Sequence, residues 1–355
     1  MITIILTYRN RKLTILKRCL ESLKMQSNDQ FSVVLVDYGS EESFITALSE
    51  LLEDYSFVSV IKCNLSGQLW NKSRAINIAL KQIESPHVFV GDVDMIYHED
   101  FVKKLHELSA KNEVTYFQVG FLDEQESSFD KAFLEYAVNF KSTHEATGMT
   151  LFKTEVLKSI NAFDEFYHGW GSEDTDVHVR LQHAGFNVHF YDEDLLMLHQ
   201  WHPKTYREVN DVTPFHSGLE AINAKYLQFT SQTKRTLANE NFQWGHYDPN
   251  SVKELDKPKM SFQLTNEKSE IIGWIANILL HPIDTVIIAT IKPHESYRSL
   301  KEKVKKQIGK KVVQCLDFQQ LNDLLLETII TKLRHCYYQY SYNAKKEEIS
   351  LIIKL

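Results

Sequence analysis

The sequence predicts an α/β protein: a mostly parallel central sheet with flanking helices, followed by a small C-terminal α/β module. Three observations predict it. Short apolar runs alternate with segments of helical periodicity through the first 125 residues, which is how strands joined by crossover helices read in sequence. Polar clusters end several of those runs, as expected where a parallel sheet presents its carboxyl ends to a ligand. The rhythm is lost after "LLMLHQWHP", and a separate module begins near Lys257.

The elements follow in order. "ITIILTY" is a first strand, and "RKLTILKRCLESLKMQ" carries apolar residues at helical spacing. "FSVVLVDYGS" is a short buried strand ending in a turn, and "EESFITALSELLEDY" is a second helix. "FVSVIKC" and "WNKSRAINIALKQI" are the third strand and helix. "HVFVGDVDM" is a fourth strand, followed by the helical "EDFVKKLHELSAK" and the strand "VTYFQVG". From about Gly120 to Phe140 the pattern is irregular and reads as a loop or flap; "TGMTLFK" is one more strand. "GWGSEDTDVHVRLQHAGFNVHF" then sets three acids ahead of a helix and a short strand. Phe215 to Asp256 reads as helix and then loop, and no internal repeat or low-complexity tract is present.

Composition narrows the function classes. A 43% hydrophobic and 25% charged share is that of an ordinary globular chain, long enough at 355 residues for one large domain and a smaller one. The net charge of −7 argues against nucleic acid as partner. Four scattered cysteines (Cys19, Cys63, Cys315, Cys336) fit free thiols better than disulfides or a zinc site. "MITIILTYRNRK" has its apolar residues ahead of its basic ones, the reverse of a signal peptide, so a cytoplasmic protein is expected. "IIGWIANILLHPIDTVIIATI" is long enough to span a bilayer, but His281, Pro282 and Asp284 lie at its centre. A central Asp costs roughly 2.5–3.5 kcal/mol in a membrane. Two buried elements joined by the "HPID" turn are expected instead.

Three constellations carry chemistry. "VGDVDM" places Asp92 and Asp94 two apart at a strand end, where i and i+2 share a face and could reach one ligand. Paired hard oxygens beside a diphosphate suit a divalent cation, although acids at strand ends are also plain turn-formers. "LHQWHP" adds His199 and His202, and imidazole beside carboxylate favours Mn²⁺ over Mg²⁺; alone, the pair reads as polar residues finishing a strand. Glu173, Asp174 and Asp176 stand where a helix begins, which simple capping and the helix dipole would also favour.

"TYRNR", "VDYGS", "LWNKSRAINIAL", "VGDVDM", "GWGSEDTD" and "LHQWHP", in that order and at about that spacing, resemble the GT-A glycosyltransferases. The likeness is to family 2 enzymes whose C-terminal half is similar to β-1,4-galactosyltransferases and bacterial chondroitin polymerases. It covers roughly Ile2 to Pro203. It implies a GT-A domain over residues 1–214, with a nucleotide-binding half (1–125) and an acceptor and catalytic half (126–214). A helical and loop connection (215–256) and a module of unknown role (257–355) follow. By the same resemblance Thr7, Arg9, Arg11 and Asp37 contact the nucleotide, with Tyr38 replacing the second acid frequent in the family. Asn71 and Arg74 lie beside the diphosphate, Asp92 is a ribose or metal-shell acid, and Asp94 is the metal ligand. His199 is the second metal ligand with His202 in reserve; Trp170, Gly171 and Glu173 wall the sugar site, and Asp174 is the catalytic base. Related retaining polypeptide N-acetylgalactosaminyltransferases typically carry Asn where Asp174 stands, so inversion is implied.

A transfer from a nucleoside diphosphate sugar needs a neutralised leaving group and a deprotonated acceptor hydroxyl. No Ser, Cys or Lys nucleophile motif stands out, so a single displacement with a carboxylate base is the simplest scheme. The expected partners are a UDP-sugar donor and a glycan or lipid-linked acceptor, with Mn²⁺ (or Mg²⁺) as cofactor. A sugar-phosphate nucleotidyltransferase would show a Gly-rich phosphate loop near the first strand, and "ILTYRNRKL" has none. A non-catalytic sugar-binding scaffold would be signalled by loss of Asp94 or Asp174, and both are present. In the C-terminal module, "IKPHESYRSLKEKVKKQIGKK" holds eight Lys/Arg against two Glu. It reads as a solvated helix face or, through Lys301, Lys303, Lys305 and Lys306, as a contact with anionic membrane. Tyr337, Tyr338, Tyr340 and Tyr342 could add an aromatic edge or be core.

Overall fold

The structure, a computed structural model, describes residues 1–203 and 214–355. The side chains of Lys303 and Lys306, two of the four lysines named above, lie outside that description. The chain forms two compact units, the first made of Met1–Asn64, residues 70–203 and Gly218–Tyr247. The second comprises Leu65–Leu69, residues 214–217 and Asp248–Leu355.

The first unit opens with β1 (Ile2–Tyr8), α1 (Leu13–Lys24), β2 (Phe31–Tyr38), α2 (Glu42–Leu52), β3 (Val58–Cys63) and α3 (Lys72–Gln82). Then come β4 (His87–Asp92), β5 (Met95–Tyr97), α4 (Phe101–Ser109), β6 (Val114–Phe117), β7 (Gly120–Phe121), β8 (Phe140–Lys141), β9 (Thr150–Lys153) and α5 (Thr154–Ser159). α6 (Glu173–His183), β10 (Val188–Tyr191), β11 (Met197–His199) and α7 (Leu219–Thr233) complete it. Seven strands form the main sheet in the order β10-β6-β9-β4-β1-β2-β3. All pairings are parallel except those of β9, which runs against β4 and β6.

Alternation along the strands explains the layering. Ile2, Ile4, Leu6 and Tyr8 share one core cluster with Leu16 and Leu20 of α1 and Phe101 and Leu105 of α4. Ile5 and Val36, at the odd and even positions left over, are equally buried, and α3 packs on β1 and β2 through Ala75, Ile76, Ala79 and Leu80. A period of two can bury both faces only when helices cover both. The architecture is therefore the GT-A-like one expected: a mostly parallel sheet with flanking helices.

"VTYFQVG" is not one strand but two. β6 joins the main sheet, whereas β7 belongs to a second, four-stranded sheet ordered β5-β11-β7-β8. That small sheet fixes the site. Antiparallel pairing of β11 with β5 sets His199 opposite Met95, and the Gln200 amide donates to the Asp94 carbonyl at 2.9 Å.

The second unit contains α8 (Pro249–Glu254), β12 (Met260–Thr265), α9 (Lys268–Trp274), β13 (Val286–Lys292), α10 (Leu300–Gln307), α11 (Phe318–Thr328), β14 (Tyr338–Asn343) and β15 (Glu348–Lys354). Its sheet order is β12-β13-β15-β14. The long apolar run folds as α9 with a wider helical turn over Ile275–Leu279, then β13. No helix among the described residues is long and apolar enough to cross a membrane. Tyr337, Tyr338 and Tyr340 are buried and Tyr342 lies over Phe318. Tyr337, Tyr338 and Tyr340 are core of this unit and Tyr342 is half-buried, so the aromatic edge considered for them is not formed.

Candidate active site

Register gathers the predicted residues at the carboxyl edge of the main sheet. Thr7 pairs with Asp92 across β1 and β4, and Tyr8 with Asp37 across β1 and β2. The loop after β1 is laced to the loop after β2. The Asn10 amide donates to Ser40 Oγ at 3.1 Å, and the Glu41 amide to Asn10 Oδ1 at 2.8 Å. Asp37 is buried and accepts from the Ser40 amide at 3.1 Å. Burial pushes its pKa up, against the hydrogen bonds from Ser40 and the charges of Lys62 and Arg9.

Asp94 is the centre of a tight cluster. β4 ends at Asp92, so the chain turns between the two acids and the shared strand face expected for them is not formed. Asp94 Oδ2 lies 3.1 Å from His202 Nε2 and 3.4 Å from Arg11 Nη2, while Oδ1 lies 3.7 Å from His199 Nε2. The sequence ranks His199 ahead of His202, but the fold brings both to Asp94, with His202 the nearer. Burial alone would raise the Asp94 pKa; the His199 charge, the His202 hydrogen bond and Arg11 together hold it well below the usual carboxylate range. Burial lowers that of His199, against the attraction of Asp94.

These donors fit a divalent cation. Asp94 Oδ1 is buried and has no hydrogen-bond partner among the described residues, a costly state unless something else binds it. His202 Nδ1 lies 3.0 Å from the Pro203 carbonyl and donates to it, so Nε2, which shares its proton with Asp94, is the atom that would give up that proton to bind a metal. The His199 ring lies over Phe121 at 4.9 Å between centroids, which limits its rotation. One ligand atom from each of Asp94, His199 and His202 falls within 4.8 Å of the others, and a carboxylate with two imidazoles suits a transition-metal ion.

The second acid pair sits at the mouth of α6. Backbone φ is +71° at Gly169, +97° at Gly171 and +74° at Ser172, left-handed turns just ahead of Glu173 and Asp174 in the first helical turn. Ser172 makes no side-chain cap, and Asp174 Oδ1 accepts from the adjacent Thr175 amide at 2.8 Å. A Cβ on Gly148 would sit 3.2 Å from Asp174 Oδ2, so glycine there leaves room for the carboxylate. Trp170 is half exposed and its carbonyl accepts from Asn223 Nδ2 at 3.2 Å.

Lys72 joins the two corners, and sequence reasoning missed it. Its Nζ lies 2.6 Å from Asp92 and 3.9 Å from Glu173. Burial opposes its charge, but Asp92, Glu173 and Asp174 outweigh that and raise its pKa. Burial and repulsion from Asp174 push Glu173 up to about 7, with Lys72 pulling the other way. The signal was present in "NKSRAINIAL", where Lys72 stands between Asn71 and Arg74. Those two also make structural contacts. Asn71 caps α3 by accepting from the Arg74 amide at 2.8 Å, and it donates to the Glu165 carbonyl at 2.8 Å and to His168 at 3.2 Å. Arg74 is buried and donates to the His246 carbonyl at 3.1 Å. Asn71 and Arg74 thus also anchor α3, and the cation that touches Asp92 is Lys72.

The chain is similar to known proteins over part of its length. A family model described as the N-terminal domain of galactosyltransferase matches residues 127–202, which include Glu173, Asp174, His199 and His202. A teichoic acid poly(glycerol phosphate) polymerase of Staphylococcus epidermidis is 30% identical over 97 residues, 26% of this chain and 12% of that protein. Staphylococcus aureus TarS 1–349 in complex with UDP is 18% identical, with a TM-score of 0.45 over 59% of this chain and 62% of that one. A mannosyltransferase from Pyrobaculum calidifontis in complex with GDP-Man and Mn²⁺ is 16% identical, with a TM-score of 0.42 over 58% of each chain. The fold rests on the strand order given above rather than on these partial overlaps.

Proposed function

We propose that the chain is an inverting, metal-dependent GT-A glycosyltransferase. It moves a hexose or N-acetylhexosamine from a UDP-sugar to a glycan or lipid-linked acceptor in cell-surface polysaccharide synthesis. The carrying observation is the buried Asp94 oxygen that lies between two histidines with no hydrogen-bond partner among the described residues, one lysine away from the acids of α6. The match to a galactosyltransferase domain over residues 127–202 supports the same class.

In this reading Asp94, His199 and His202 hold Mn²⁺, which supplies Lewis-acid neutralisation of the diphosphate. Thr7, Arg9, Arg11 and Asp37 face the nucleotide, and Lys72 adds positive charge on the leaving-group side. Asp174 takes the proton from an acceptor hydroxyl as that oxygen bonds to the anomeric carbon, while the bond to the β-phosphate oxygen breaks and its electron pair leaves with UDP. Glu173, Trp170 and Gly171 border the sugar. Attack opposite the leaving group inverts the anomeric centre.

The test is incubation with Mn²⁺ and a panel of UDP-sugars, scored by slow donor hydrolysis. One or two donors should turn over, dependent on Mn²⁺, and Asp94→Ala should lose metal-dependent UDP binding. Equal UDP affinity in Asp94→Ala and the parent would sink the metal assignment. A product that keeps the donor's configuration would sink single displacement.

A further inference from the structure

We propose that α10 and the turn after it form an amphipathic docking element that seats the second unit on an anionic phospholipid surface. Every apolar residue of this helix points to solvent: Leu300 is 77% exposed, Val304 55%, and Ile308, just past the helix end, 59%. The spacing of i, i+4 and i+8 lines them along one stripe. α11 of the same unit does the opposite, burying Phe318, Leu321, Leu325 and Leu326.

The inner face of α10 is identified by Glu302. Its side chain is 12% exposed, pairs with Lys305 Nζ at 2.5 Å and accepts from the Val313 amide at 3.2 Å. At about 100° per residue, Glu302 stands roughly 160° around the helix from the middle of the stripe. Contact with the rest of the unit on one side thus leaves the stripe turned outward. The end is built as well. The Ile308 amide donates to the Val304 carbonyl at 3.2 Å and the Lys310 amide to the Lys305 carbonyl at 3.0 Å. Gly309 has φ +69°, the left-handed closing residue of a Schellman motif. That turn keeps Ile308 in line with the helical stripe.

Charge selects the occupant. Residues 291–311 hold eight Lys/Arg against two Glu in a chain of net charge −7. A solvated helix face would place polar residues where Leu300, Val304 and Ile308 stand. A merely electrostatic patch would have no use for three exposed aliphatics. Apolar residues on one stripe with lysines around it are the composition of helices that lie in the headgroup layer. Anionic lipid satisfies both halves: acyl chains for the stripe, phosphates for the lysines.

The experiment is co-sedimentation of the full chain with phosphatidylcholine vesicles, with and without phosphatidylglycerol. Leu300→Ser/Val304→Ser/Ile308→Ser tests the stripe, and Lys301→Glu/Lys310→Glu/Lys311→Glu tests the charge. The parent should pellet with anionic vesicles and less well as salt rises. The stripe variant should partition at least tenfold less even at low salt. The charge variant should lose its preference for phosphatidylglycerol, about fivefold per residue. A stripe variant that binds as the parent does would overturn the proposal, as would a parent that ignores anionic vesicles. So would sedimentation velocity showing a parent dimer, dissolved by the stripe variant, that does not pellet with lipid, since the stripe would then join two copies.

Discussion

Two polar regions of the first unit use the same residue types and differ in how completely their hydrogen-bonding capacity is met. Beneath α6, Asp176 accepts from Arg180 Nε at 2.6 Å and from the Tyr167 hydroxyl at 3.0 Å. Arg180 also donates from each terminal nitrogen, to the carbonyls of Ile160 and Ala162 at 3.0 and 2.8 Å. Asp164 accepts from the Phe166 amide, Tyr226 and Arg235. At the sheet edge Asp94 is nearly as buried, yet its Oδ1 has no hydrogen-bond partner among the described residues and two imidazoles face it. A saturated buried network holds a fold together; an unsaturated one implies a missing ligand. Three residues of one motif span the difference, since half-buried Asp174 stands at the helix mouth and Asp176 is sealed beneath it.

The largest effect tests the saturated side. Asp176→Ala leaves Arg180 charged, buried and unpaired, and should cost roughly 3–5 kcal/mol of stability in urea titration. A loss under about 1 kcal/mol would mean that the network is not structural. Asp174→Asn tests the open side: transfer should fall roughly 10²–10⁴-fold because the amide cannot take the proton. UDP affinity should stay within a factor of two of the parent. A parallel loss of UDP binding would move Asp174 from base to donor contact.

Smaller effects sharpen the comparison. His202→Ala and His199→Ala should each weaken Mn²⁺-dependent UDP binding by about tenfold or more, where the sequence alone expects His202 to be the milder. Calorimetric titration of Mn²⁺ with UDP distinguishes the two outcomes. The smallest effect concerns Glu173, whose pKa is raised to about 7 in the folded chain. As pH rises through 4.5 the unfolded chain releases this proton while the folded chain keeps it until about 7, so the folded state loses stability over that window. Glu173→Gln removes the slope. It should match the parent near pH 4 and be the more stable of the two at pH 8. Identical melting at both pH values would show that Lys72 cancels the burial.

Local signals made much of this legible. The short apolar runs "ITIILTY" and "FSVVLVDY" and helical spacing in "KLTILKRCLESLK" are written in neighbouring residues, so β1, β2 and α1 could be read directly. Thr7, Asp37 and Asp92 end such strands, and parallel register alone brings them to one edge. The reading faltered where pairing partners are distant. "VTYFQVG" looks continuous, but β6 and β7 pair in different sheets. Asn71 and Arg74 look free in a motif, and only the fold supplies the carbonyls of Glu165 and His246 that engage them.

By itself the sequence determined the α/β rhythm and which residue types could meet a diphosphate and a metal, because backbone periodicity and side-chain chemistry are local properties. Tertiary structure decided which of those residues meet. His199 and His202 reach Asp94 because β11 pairs antiparallel to β5, more than one hundred residues away in the chain. Asp92 and Asp94 part company because the strand ends between them and Lys72 claims the first. Burial then separates acids that look alike in "SEDTD": Asp176 is paired out of water, while Glu173 is crowded by Asp174 until its proton is held to about pH 7. Such differences depend on the distance to charges and to solvent, and those distances are set by the packing of segments far apart in sequence.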